Sequence, residues 1–161
     1  MALKSEQKFI DLIQQHAGII HKIINLYGYE KENKEDLHQE ILLQAWKSFT
    51  HFQGKSMFST WLYKVSLNTA LTYNSKIKKH SELKTYANTS LETTSKDKPG
   101  LADRLYQLVR ALHEVDRMIM TLHLEGYKNP EIAEITGLKV NHINVKLHRL
   151  KNQIIKQLKK D

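Results

Sequence analysis

Residues 52–71 read FQGKSMFSTWLYKVSLNTAL. Phe52, Phe58, Trp61 and Tyr63 stand among Lys55, Ser56, Ser59, Lys64 and Asn68, with no acid between them. Rings beside cationic, hydroxyl and amide donors suit unstacked bases and their phosphates. A base stacked on an aromatic face contributes about 1–3 kcal/mol, and a polar pocket offsets the few kcal/mol of unstacking. The competing use of the rings is a core. Trp61 shares a helical face with Leu62 and Val65, which favours packing. Phe58 stays open between core and loop wall, and Tyr63 between packing and contact.

A second set lies near the C-terminus. Residues 139–160 carry seven bases and no acid. With Ile143 turned to a core, Asn141, Val145, His148 and Asn152 fall on the opposite face, flanked by His142, Asn144 and Arg149. Asn pairs with adenine, Arg with guanine, and Val touches a thymine methyl. Lys146, Lys151, Lys156 and Lys159 suit phosphates, which give affinity with little discrimination.

Enzyme chemistry finds less support. The nine His do not fall at ligand spacings, and His113–Arg117 opens like H-E-x-x-H but ends on Arg. There is no Walker loop, dinucleotide Gly pattern or G-x-S-x-G. No catalytic residue, metal or cofactor is expected.

These groups need helices to position them. Phe9, Leu12, Ile13, Ile19, Ile20, Ile23, Ile24 and Tyr27 recur near helical spacing, with Gly28 as a stop. Asn33 and Asp36 offer caps for a second run, Leu37-Ile41-Ala45-Phe49, and Phe58-Trp61-Leu62-Val65 opens a third. Residues 80–102 lose the periodicity and close on Pro99-Gly100, as a linker does. Beyond it, one pattern runs from Leu105 through Leu108, Val109, Leu112, Val115 and Ile119 to Leu122, where Gly126 interrupts it. Asn129 as N-cap, Pro130 at the first position and Gly137 past the end bracket a short helix. Ile143, Leu147, Leu150, Ile154 and Leu158 stripe the last one. A short helix, a Gly turn and a second helix make a helix-turn-helix. The expected fold is all-α: two small helical domains, 1–79 and 103–161, joined by a flexible linker, 80–102.

Composition agrees. A net charge of +8 attracts polyanions, and it divides as +4 over 1–79, zero over 80–102 and +4 over 103–161. No cysteine is present and no run of about 18 apolar residues, so a reducing, cytoplasmic setting without membrane insertion or secretory leader is expected.

The first motif resembles region 2 of sigma factors of the extracytoplasmic-function (ECF) branch of the sigma-70 family. Glu35, Asp36, Leu37, Gln39 and Glu40, then Phe52, Gly54, Ser56, Phe58, Thr60, Trp61, Leu62, Tyr63 and Asn68 carry it. The C-terminal motif is similar to region 4 through Leu124, Glu125, Gly126, Glu131, Ile132, Ala133, Glu134, Gly137, Val140, Leu147, His148 and Arg149. The resemblance implies a subunit that binds bacterial RNA polymerase core, directs it to promoter DNA and promotes initiation. It implies docking of Asp36, Leu37, Gln39, Glu40 and Ile41 on the clamp helices of the largest subunit, with a further contact to the flap region. It assigns Lys55, Ser56, Phe58, Ser59, Trp61, Lys64 and Asn68 to the melted −10 element. Asn141, His142, Asn144, Val145, Lys146, His148 and Arg149 go to the −35 duplex, and an anti-sigma factor is a possible partner by the same likeness. Asn144 stands where region 4 usually has a base, Val145 where it has a small polar residue, Lys139 where a Pro or cap is common, and Lys55 where an acid is frequent. A stand-alone helix-turn-helix regulator and a basic scaffold for RNA or membrane surfaces are the rival readings. The first leaves the Asp36–Glu40 and Phe52–Asn68 matches without a purpose; the charge split allows the second, but the two motifs do not require it.

Overall fold

A computed structural model describes residues 2–28, 30–81 and 98–160. All regular structure among them is helical, in the order α1 Ala2–Gln15, α2 Ala17–Tyr27, α3 Lys31–Phe49, α4 Phe58–Ser81, α5 Leu101–Arg110, α6 Glu114–Leu124, α7 Asn129–Thr136 and α8 Val140–Lys159. The chain divides into two compact units, Met1–Ala87 and Asn88–Asp161. Most of the expected linker, 82–97, lies outside the described residues. Its last part is structured: Gly100 caps α5, its N–H donating to the Asp103 carboxylate at 3.2 Å, and the helix begins at Leu101.

In the first unit α4 packs against α2 and α3, and α2 against α3. Ile20, Ile23 and Tyr27 of α2 meet Leu37, Ile41 and Ala45 of α3 and Leu62, Leu67 and Ala70 of α4 in a fully buried core. The every-fourth-residue stripe of α3 faces inward, as its period predicts. The long run from Phe9 to Tyr27 is two helices, not one. His16 Nδ1 donates to the Leu12 carbonyl at 2.9 Å, and the chain turns there. Gly28 ends α2 for want of space: a Cβ would stand 2.6 Å from Lys34 Cγ and 2.8 Å from the Ile24 carbonyl. Its φ of −83° is open to any residue. Asn33 and Asp36 do not cap α3, which starts earlier behind Glu30. Asn74 ties the far end of α4 to α2 by donating to the Tyr27 carbonyl across a buried 3.1 Å.

In the second unit α8 packs on α7, α6 and α5. Ile143 and Leu147 face Ile119, Leu122, Ile132 and Ile135, all buried. The pattern that runs unbroken from Leu105 to Leu122 is cut at Ala111–His113 into α5 and α6. Buried Arg117 makes the cut stable, its guanidinium donating to the Leu112 carbonyl at 3.0 Å. That bond satisfies an acceptor left over where α5 stops. Lys128, not Asn129, is the N-cap of α7, and its N–H donates to Glu131 Oε2 at 2.7 Å. Gly137 ends α7 with φ +75°, the left-handed conformation that favours glycine. The turn that follows delivers the chain into α8.

Candidate nucleic-acid interface

In the first unit the site is built on a box of rings. Phe52, in the loop after α3, meets Phe58 of α4 edge-on at a centroid distance of 5.7 Å and Trp61 at a tilt at 5.2 Å. Phe58 also meets Trp61 at 5.2 Å and the His16 ring at 5.0 Å. Phe49 and Phe9 extend the cluster to Trp46. Aromatic pairs of this geometry each contribute about 0.5–1.5 kcal/mol beyond their burial. Phe58 retains 9% of its area in solvent. Its ring therefore holds the loop in place and offers no free face to a base. Trp61 is half-buried, in keeping with packing, and Tyr63 is buried in the core.

The loop over the box presents polar groups outward. Gly54 takes φ +69° at its tip, Lys55 is exposed, and Ser56 and Ser59 are half-buried. Met57, which its sequence context did not single out, is 74% exposed. On α4, Lys64 and Asn68 project to solvent, and Thr72 and Lys76 continue their line at four-residue steps. That i, i+4 run of polar residues is legible in the sequence as a polar stripe at helical spacing.

Of the residues expected to dock on polymerase, Asp36 and Gln39 are exposed and Glu40 is half-exposed. Leu37 and Ile41 have 0% exposure. Their side chains belong to the core, as the apolar period of α3 demands, and lie beneath the expected docking face. A groove of about 460 Å³ between α3 and α4 is lined by Glu40, Gln44, Asn68, Thr69, Thr72, Tyr73 and Lys76. It brings Glu40, from the docking set, and Asn68, from the strand-binding set, to one surface. Gln44 Nε2 donates to Glu40 Oε1 at 2.9 Å. Burial, then the charge and hydrogen bond of Asp36, hold the Tyr73 hydroxyl above the usual phenol range.

In the second unit Asn141, His142, Val145, His148 and Arg149 are exposed along one side of α8. Two other predicted contacts are engaged within the unit. Asn144 is exposed but accepts a hydrogen bond from Asn129 at 2.6 Å. Lys146 is half-buried, its Nζ 2.6 Å from Asp116 Oδ1. Asn152 and His148 meet at 3.3 Å, one turn apart on the exposed side. On the inner side His123 is half-buried, and burial followed by the charge of Lys151 pushes its pKa below the usual imidazole value. Among the described residues no three His, Asp or Glu side chains converge as metal ligands. No described helix is long and apolar enough to cross a membrane.

The comparisons with known proteins bear on both units. The sigma-70 region 2 family model matches residues 12–80, and the sigma-70 region 4 model matches 102–154. RNA polymerase sigma factor YlaC of Bacillus subtilis is 24% identical over 98% of this chain and 96% of its own length. The ECF RNA polymerase sigma-E factor of Escherichia coli K12 is 26% identical over 94% of this chain and 87% of its own. The fold is similar to that of the sigma factor RpoE of Bartonella quintana, solved with the anti-sigma factor NepR. That match has a TM-score of 0.70 at 18% identity and covers 94% of this chain and 98% of that one. Two family models in sequence order, together spanning most of the residues, place the chain in the sigma-70 family as an RNA polymerase sigma factor of the ECF type.

Proposed function

We propose that the protein carries out initiation through three surfaces, each on a separate helix face. Asp36, Gln39 and Glu40 on α3 form the polar docking face for the clamp helices of polymerase core. Lys55, Ser56, Ser59, Lys64 and Asn68 hold the melted −10 strand above the aromatic box, with Thr72 and Lys76 extending the track. Asn141, His142, Val145, His148 and Arg149 on α8 read the −35 duplex. The polymerase performs the chemistry, and this subunit selects where it begins, which places it in the cytoplasm with the enzyme.

The observation that carries this reading is the exposed face of α8. Its base-reading side chains project to solvent without an acid among them, on a helix seated by a helix-turn-helix. The region 2 match over 12–80 removes the ground for a stand-alone regulator, which has no use for that surface. The RpoE protein was solved with an anti-sigma factor. A partner of that kind suits this chain too, with Leu43 and Trp46 offering exposed apolar area on α3.

Abortive transcription with purified bacterial core enzyme, on a library of −35/−10 duplexes, tests the reading. Initiation at a recurring two-part motif, dependent on this protein, is the expected outcome. Tight duplex binding without initiation would reduce the α3 and α4 assignments to packing.

A further inference from the structure

Lys146 stands beside the DNA-reading face of α8, yet its ammonium is already engaged. Nζ donates to Asp116 Oδ1 at 2.6 Å, and the two side chains keep 28% and 24% of their area exposed. Asp116 lies in the first turn of α6, where the helix dipole favours a carboxylate. Partial burial shields the pair from the salt that screens exposed charges. A phosphate approaching Lys146 would have to displace Asp116 and leave a carboxylate beside its own negative charge. Two residues earlier on α8, Asn144 is held by Asn129 of α7 in the same manner.

We infer that Asp116 restrains DNA affinity by withholding Lys146 from the phosphate backbone. The inference rests on the reading that α8 binds duplex DNA. A free lysine at this position would add one phosphate contact to every sequence alike, because backbone contacts carry no sequence information. Paired to Asp116, it adds none. Recognition is then left to Asn141, His142, Val145, His148 and Arg149, and overall affinity for DNA is held down with no loss of discrimination between sequences. Asp116 is a positioning residue: it touches no DNA and acts through the lysine it holds. The restraint has a use in a chain of net charge +8, whose general attraction to nucleic acid needs no increase.

Salt dependence counts phosphate contacts directly, since log K falls with log salt by about 0.9 per contact. The full chain, its Asp116→Asn variant, the Asp116→Asn/Lys146→Gln double variant and Arg149→Ala are titrated onto a random-sequence duplex and a duplex carrying the preferred −35 site. Fluorescence anisotropy is read between about 50 and 200 mM salt. Asp116→Asn is expected to steepen the slope on both duplexes by about 0.9, an added loss of about 3.5-fold across that range. The double variant is expected to return to the wild-type slope, since a neutral pair then replaces a neutral pair. A wild-type slope steeper than that of the double variant would mean that Lys146 already holds a phosphate, and would overturn the inference. Identical slopes for Asp116→Asn and the double variant would overturn it as well. Should Asp116→Asn lose helicity, Asp116→Ser, which frees the same lysine and keeps a polar group in the first turn of α6, reads the same slope. Arg149→Ala separates the two levels: weakened site binding with no steepening by Asp116→Asn sinks the restraint alone. Unchanged binding by Arg149→Ala together with no steepening sinks the reading of α8 with it.

Discussion

The two proposed nucleic-acid surfaces solve opposite problems with opposite arrangements. At the loop before α4 the large rings are turned inward, and Phe52, Phe58 and Trp61 stabilise one another while small polar groups face outward. On α8 the reading side chains stand outside, and the neighbours Asn144 and Lys146 are held back by bonds to α7 and α6. A melted strand is flexible, so its receptor gains from a rigid floor. Duplex DNA is stiff and highly charged, so its reader gains from limiting indifferent contacts. The first site spends its aromatic residues on stiffness and the second spends two polar residues on restraint.

Breaking the floor should have the largest effect. Phe58→Ala is expected to destabilise the first unit by about 3–5 kcal/mol, as for other buried Phe truncations, read by urea denaturation. Asn68→Ala, on the exposed face above, should leave stability within about 0.5 kcal/mol. It should slow open-complex formation on duplex templates while sparing duplex binding. A mild cost for Phe58→Ala, under about 1 kcal/mol, would return that ring to the strand and dissolve the contrast.

On the α8 side, Arg149→Ala should cost about 1–3 kcal/mol on the preferred −35 duplex and less on others. An equal loss on all sequences would make Arg149 a phosphate contact. Gly137→Ala forces a side chain into the left-handed region and should destabilise the second unit by about 1–2 kcal/mol. Since the turn at Gly137 aims α8, a loss in −35 affinity should accompany it.

The smallest effect concerns acid. His123 has its pKa lowered by burial and by Lys151. Well above the ordinary value of 6.5 neither the folded nor the unfolded chain binds this proton, and the group contributes nothing to pH dependence. As pH falls below 6.5 the unfolded chain takes the proton first, so the native state loses stability until its own lower pKa is reached. His123→Gln should flatten the melting temperature of the second unit between about pH 7 and pH 5. An unchanged pH profile would place the sensitivity elsewhere.

What was legible in the sequence followed from local rules. The Ile143-to-Leu158 stripe fixed which side of α8 faces outward, and Gly137 marked the end of α7. The breaks at His16 and at Ala111–His113 were hidden, because apolar spacing continues across both; the nearest glycine to the first, Gly18, lies inside α2 and does not mark it. One is held by a ring nitrogen on a carbonyl and the other by a buried guanidinium. Leu37 and Ile41 show a conflict that the residues themselves could have settled. Family likeness put them on a docking face, whereas their four-residue period put them inside, and they are inside. The pairing of Lys146 with Asp116 spans 30 positions, and the burial of Phe58 depends on rings from three other segments. Both are facts of tertiary assembly, outside the reach of periodicity.

The groove between α3 and α4 carries a consequence for how such a protein diversifies. Glu40 and Asn68 line one surface, so on the proposed assignment a substitution that tunes competition for polymerase would also disturb the hold on the separated strand, and paired changes there would not add. The outer side of α8 shares no lining with that groove. Selection for new target genes therefore has a freer hand at Asn141, Val145 and Arg149 than anywhere along α4, and divergence among sister lineages should accumulate there first.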